Sequence, residues 1–158
     1  TATTEIYTLS LHDALPIWQR RDYIVIYQAR TVNGRPDYLR EKAMELAEQC
    51  HCEVIDLSNM GYSVEDFISS IKYARYVMTT SFHAVAFAML METPCYAIRL
   101  GDGLDVRYVD LLSNVGLEQE LVDLDFTPVP FFVNFKSLKR RIKEYRQMSI
   151  TFLQNAMQ

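Results

Sequence analysis

Only three cysteines, five glycines and five prolines occur among the 158 residues, and no apolar run is long. Each shortage excludes something. The cysteines (Cys50, Cys52 and Cys95) are odd in number and lack framework spacing, which argues against a disulfide scaffold and suits a reducing compartment. Cys50-His51-Cys52 resembles half of a metal clip, but no second Cys/His pair follows to complete four ligands, so no metal is expected. The longest apolar stretch, Ala84 to Met91, is far short of the roughly 20 residues a membrane span needs. Positive charge is also scarce. Sixteen Lys and Arg against 20 Asp and Glu leave a net charge of -4. That offers no general attraction to nucleic acid or an anionic surface, so a phosphate-bearing ligand must be held by local groups. What remains, 49% hydrophobic and 23% charged residues, fits one soluble globular domain.

The first residues stand apart. Thr1 to Ile17 match no signal peptide, having neither a basic start nor a continuous apolar stretch before a small-residue cleavage site. They read instead as the translation of a common sequencing-adapter oligonucleotide, whose last base supplies the first base of the Trp18 codon. Residues 1–18 are therefore expected to be non-native, with the true protein continuing upstream. His12 and Asp13 are excluded from any site on that ground. Residues 19–158 form the domain proper.

From Asp22 the pattern alternates. Tyr23-Ile-Val-Ile-Tyr27 has the β-branched and aromatic character of a buried parallel strand. A polar loop follows to Pro36, and Pro36-Asp37 open a helix with apolar Leu39, Ala43, Met44, Leu46 and Ala47. Cys52 to Leu57 reads as the second strand. Ser63, with Asp66 three residues on, predicts a capping box and a second helix. Tyr76 to Thr80 is the third strand, Phe82 to Met91 the third helix and Cys95 to Leu100 the fourth strand. Val106 to Val115 is a helix stopped by Gly116. Leu121 to Phe126 is a short edge strand, and a long helix begins near Phe135, basic in Lys136, Lys139, Arg140, Arg141 and Lys143. Strands alternating with helices of this length predict an α/β, Rossmann-like, doubly wound parallel sheet. Ligands bind such sheets beyond the carboxyl ends of the strands, where strand order switches. Four loops qualify: 28–35, 58–62, 79–83 and 100–107.

Of these, Thr79-Thr80-Ser81-Phe82-His83 carries the most chemistry. Ser81 is a good N-cap, and the free amides and positive dipole end of the helix behind it favour an anion. His83, in the first helical turn, would lie near that anion, suited to charge neutralisation or general acid work. Asp105-Val-Arg107 opens the next helix, where Arg107 could grip a phosphate or carboxylate with two donors. Tyr27, Gln28 and Arg30, at the end of the first strand, are donor-side candidates by position. On spacing alone, a histidine at a helix start is more often a cap or a half-buried residue.

The stretch from Ile71 to Phe87, with Thr-Ser-Phe-His at its centre, resembles the polysaccharide pyruvyl transferases, where a strand end reads Thr-x-Ser-Phe-His-Gly. Asp105-Val-Arg107, Leu111 to Leu117 and the closing Arg146 to Leu153 follow in the family's order. The resemblance spans roughly Tyr23 to Leu153. It implies the C-terminal half of a two-domain, glycosyltransferase-B-like architecture, with the donor in the cleft between halves. It further implies transfer of a pyruvyl group from phosphoenolpyruvate to a sugar or lipid-linked oligosaccharide of a bacterial surface polysaccharide, forming a pyruvate ketal without a cofactor. His83 would match the family histidine, and Thr80, Ser81, Phe82, Asp105, Arg107, Arg30 and Gln28 would face the donor. The expected location is the cytoplasm, at the inner face of the membrane when the acceptor is lipid-linked. Two positions depart from the pattern. Ala84 replaces the Gly common after the histidine, and Ser81 stands where other branches place Arg, leaving Arg30 or Arg107 to supply that charge. A nucleotide-sugar glycosyltransferase of the same architecture, with Glu53 or Asp56 gripping a ribose, is the alternative enzyme. A degenerate sugar- or phosphate-binding domain is the non-enzymatic one.

Overall fold

The computed structural model describes residues 22–32, 34–59 and 61–157. Residues 1–18, set apart above, lie outside them. Five strands form one all-parallel sheet: β1 Tyr23–Tyr27, β2 Glu53–Asp56, β3 Tyr76–Thr79, β4 Cys95–Ile98 and β5 Leu121–Val122, in spatial order β2-β1-β3-β4-β5. Helices α1 Tyr38–Cys50, α2 Val64–Tyr73, α3 Phe82–Leu90, α4 Val106–Val115 and α5 Phe135–Ala156 connect and cover it. The predicted doubly wound α/β sheet is the fold observed.

The two-residue period of the strands splits the core in two. Tyr23, Val25, Val77, Cys95 and Ala97 face a layer built from Ile71, Ala84, Val85, Ala88, Tyr108, Leu112, Phe135 and Leu138, contributed by α2 to α5. Ile24, Ile26, Tyr76, Met78, Tyr96 and Ile98 face the other way, toward Leu39, Ala43, Leu46 and Ala47 of α1. One helix cannot cover that second face. The Pro-broken crossing after β5 completes it, with Phe126 and Phe131 packed on Tyr96. Three phenols anchor the crossing: Tyr38 donates to the Leu124 carbonyl (2.6 Å), Tyr76 to Phe131 (3.1 Å) and Tyr96 to Val129.

Local signals set the helix ends. The capping box of α2 is present, the Asp66 amide donating to Ser63 Oγ (3.0 Å) and the Ser63 amide to Asp66 Oδ2 (3.3 Å). Gly116 ends α4 in the left-handed region at φ 72°, which only glycine adopts at little cost. β2 starts one residue later than expected because the Cys52 amide still bonds back to Ala47. β5 is cut short where the Phe126 amide turns back to Asp123. Helix α5 buries only Phe135 and Leu138, and its predicted basic residues are exposed. No helix among the described residues is long and apolar enough to cross a membrane.

Candidate active site at the strand switch

β1 pairs with β2 on one side and with β3 on the other, so strand order reverses between β1 and β3. A crevice follows beyond Tyr27 and Thr79, the position such sheets use for ligands. Threonine hydroxyls knit its two walls together. Thr79 Oγ1 donates to the Tyr27 carbonyl (2.6 Å) and accepts from the Ser81 amide (3.0 Å). Thr80 Oγ1 accepts from the Arg30 amide (3.2 Å) and donates to the Arg30 carbonyl (3.1 Å). Both threonines are fully buried, and the turn entering α3 is thereby fixed on the end of β1. On the far side of β1, the Gln28 amide donates to Ser58 Oγ (2.8 Å).

Ser81 takes the N-cap position with extended backbone (φ -109°, ψ 128°), but its hydroxyl makes no capping bond. The first helical bond runs from the Val85 amide to the Ser81 carbonyl (3.1 Å). The amides of Phe82, His83 and Ala84 therefore open α3 without an intrahelical acceptor. His83 is exposed, its ring edge-on to Phe82 at 5.7 Å. The Arg107 guanidinium lies over the same Phe82 ring at 5.5 Å. The half-buried Phe82 thus carries an imidazole and a guanidinium beside one helix N-terminus, a local concentration of positive character on an acidic chain.

Arg30 and Asp105 have a different setting. The Arg30 guanidinium donates to the Thr80 carbonyl through Nε (3.2 Å) and Nη2 (3.1 Å), to Asp105 Oδ1 (2.7 Å), to Tyr108 Oη (3.0 Å) and, through Nη1, to Asp102 (2.5 Å). Asp105 Oδ2 accepts from the amides of Leu100 and Gly101, both at 2.7 Å, and the Tyr108 hydroxyl also donates to Asp105. Burial alone would lower the Arg30 pKa, but the bonds to Asp105 and Asp102 outweigh it and push it up. Burial would raise the Asp105 carboxyl, yet the donors Tyr108, Arg30 and the Gly101 amide hold it below the usual carboxylate range. Burial and the bond to Asp105 push the Tyr108 phenol up. Arg30 is therefore charged and already neutralised twice over.

Sequence reasoning brought Thr80, Ser81, Phe82, His83, Arg107, Arg30, Asp105 and Gln28 to this end of the sheet, and there they all lie. It missed Asp102 and Tyr108, which complete the Arg30 cluster. A Gly-Asp-Gly loop signals only a turn, and Tyr108 reads as one more helical core residue. It also missed Glu120, buried far along the chain.

The family model for polysaccharide pyruvyl transferase matches residues 4–102. The chain belongs to the polysaccharide pyruvyl transferase family. No curated protein is similar enough to the chain to count as a match. The matched stretch of this pyruvyl transferase-family chain takes in Gln28, Arg30 and the turn from Thr79 to His83; Asp105, Arg107 and Tyr108 follow it. Such a family acts on a sugar or polysaccharide as acceptor.

Proposed function

We propose that this domain is the donor side of an enzyme that transfers a pyruvyl group from phosphoenolpyruvate to a sugar of a bacterial surface polysaccharide, forming a pyruvate ketal. The observation that carries the reading is the placement of His83 and Arg107 against the one Phe82 ring, beside the first amides of α3, at the strand switch. The amides and Arg107 bind the donor phosphate. His83 contacts that phosphate or protonates the enol methylene. The methylene gains a proton, two sugar hydroxyls lose theirs to form the ketal oxygens, and inorganic phosphate departs. Thr80 and Thr79 hold the turn in place, and no cofactor takes part.

The remainder of the reading concerns the whole protein. Residues 19–158 are the donor-side half of a two-domain, glycosyltransferase-B-like enzyme that closes its cleft with a partner domain. The enzyme works in the cytoplasm, at the inner membrane face where a lipid-linked acceptor is available. Half a cleft cannot enclose the donor or position the acceptor, so this chain by itself is inactive.

The nucleotide-sugar alternative draws less support. Glu53 begins β2, at the end of the sheet opposite the crevice, and Asp56 accepts from the Ser58 amide (2.8 Å) and pairs with Arg40 (3.6 Å). Isothermal titration of the complete protein with phosphoenolpyruvate and with nucleotide sugars tests the reading. Phosphoenolpyruvate binding is the expected result. Tight binding of a nucleotide sugar alone would overturn it, and silence toward both would favour a degenerate domain.

A further inference from the structure

The two carboxylates on Arg30 are unequal. Asp105 is buried and takes donors from Leu100, Gly101, Tyr108 and Arg30. Asp102 has a side chain 37% exposed and, among the described residues, accepts besides Arg30 only from the Leu104 amide (3.0 Å). It sits between Gly101 and Gly103, both at positive φ (72° and 78°), with open space beside each. A pair whose carboxylate is open to solvent is held weakly, by roughly a two- to fivefold preference. The Arg30 side chain is itself 19% exposed. Its Nη1 alone faces Asp102, while Nε and Nη2 stay on Thr80, Asp105 and Tyr108. Removing Asp102 would therefore free one charged donor edge without releasing Arg30 from its seat.

We propose that Asp102 is an internal stand-in for the ligand's anionic group, occupying Arg30 in the empty site and exchanging for a phosphate or carboxylate when ligand enters the crevice. The inference rests on the donor-site reading above. Thr80 joins Arg30 to the turn that carries the α3 amides, so an anion on those amides lies on the Arg30 side of the crevice. Exchange conserves the charge on Arg30 while replacing a tethered carboxylate by the ligand's own. Arg30 then has two roles, holding the Thr80 turn throughout and contacting ligand only when the Gly101–Gly103 loop swings aside.

Asp102→Asn tests the exchange. Asn keeps an oxygen for the Leu104 amide but loses the charge that competes for Arg30. Inorganic phosphate and phosphoenolpyruvate are titrated into the complete wild-type protein and the complete variant, following the backbone amide resonances of residues 80–84. Glu48→Gln on exposed α1 removes one charge elsewhere and controls for net charge. Both ligands should bind about two- to fivefold tighter to Asp102→Asn, with Glu48→Gln unchanged. Equal affinities in wild type and Asp102→Asn would overturn the exchange while leaving the donor reading intact, and absence of anion binding in either protein would also overturn it. Tighter phosphate binding in Asp102→Asn with no response to phosphoenolpyruvate would support the exchange and defeat the pyruvyl donor instead.

Discussion

The guanidinium of Arg30 and the carboxylate of Asp105 meet at 2.7 Å although 75 residues separate them. The pair ties the loop after β1 to the start of α4, across the end of β3. Asp105→Ala would leave the Leu100 and Gly101 amides without their acceptor and Arg30 without its buried counter-charge. Breaking a buried pair from one side costs about 3–5 kcal/mol, so urea midpoints should fall markedly. The pH dependence has a definite sign. Asp105 is held below its ordinary value, so its contribution is present above about pH 4 and is lost as pH falls through the lowered value. The Ala variant should lose less stability than wild type on acidification below that point.

Legibility follows the range of the forces involved. The Ser63–Asp66 box, the Gly116 stop and the buried run Tyr23 to Tyr27 arise from neighbours in sequence, and each could be read there. The switch between β1 and β3 was reachable at one remove, because strand-helix alternation allows few sheet orders. The Arg30 cluster was not readable. Its members come from three loops and the first turn of α4, and nothing at Asp102 or Tyr108 marks them as partners of residue 30. The same holds for Tyr38, Tyr76 and Tyr96, whose hydroxyls fasten a crossing segment that shows in sequence only as a Pro-broken run. Ser81 shows the opposite error: residue type predicted a side-chain cap, whereas the structure uses the Ser81 backbone instead.

Ser63→Ala should destabilise the domain by about 1 kcal/mol, the usual worth of an N-cap side chain. The site is exposed, so no cavity or buried charge adds to the loss. Ser63→Thr should recover most of it, because its hydroxyl accepts from the same Asp66 amide and still donates to Asp66 Oδ2. Thermal melts of the three proteins check this, and equal midpoints would show that the hydrogen bonds seen at Ser63 contribute nothing net.

Glu120 predicts a second pH effect, opposite in sign to that of Asp105. It is fully buried at the foot of β5, its Oε1 accepting from the Cys95 amide (3.1 Å) and its Oε2 without a partner among the described residues. Burial outweighs the opposing Cys95 bond and pushes its carboxyl up to about 8. The folded protein therefore holds a proton that the unfolded chain gives up above about pH 4.3. Stability should decline as pH rises from about 5 toward 8, because ionisation favours the unfolded state. Glu120→Gln keeps an acceptor for Cys95 and cannot ionise. Its stability should run flatter across that window in denaturant titrations at pH 5, 6.5 and 8. Parallel slopes in the two proteins would mean that Glu120 is ionised in the fold.

His83 separates structure from chemistry. It is exposed, and among the described residues its one ring contact is with the neighbouring Phe82, so the fold should hardly depend on it. His83→Ala should shift stability by no more than about 0.5 kcal/mol, as surface substitutions do. Turnover of the complete enzyme should fall about 10²–10⁴-fold if His83 protonates the donor as a general acid. Arg107→Ala should act differently, weakening donor binding more than it slows the chemical step, because a charge held over Phe82 contacts the ground state and the transition state alike. Steady-state kinetics beside thermal melts measure both halves of this prediction. A His83→Ala variant that turns over normally but melts early would make the histidine a part of the helix start and move the proton donor elsewhere in the cleft.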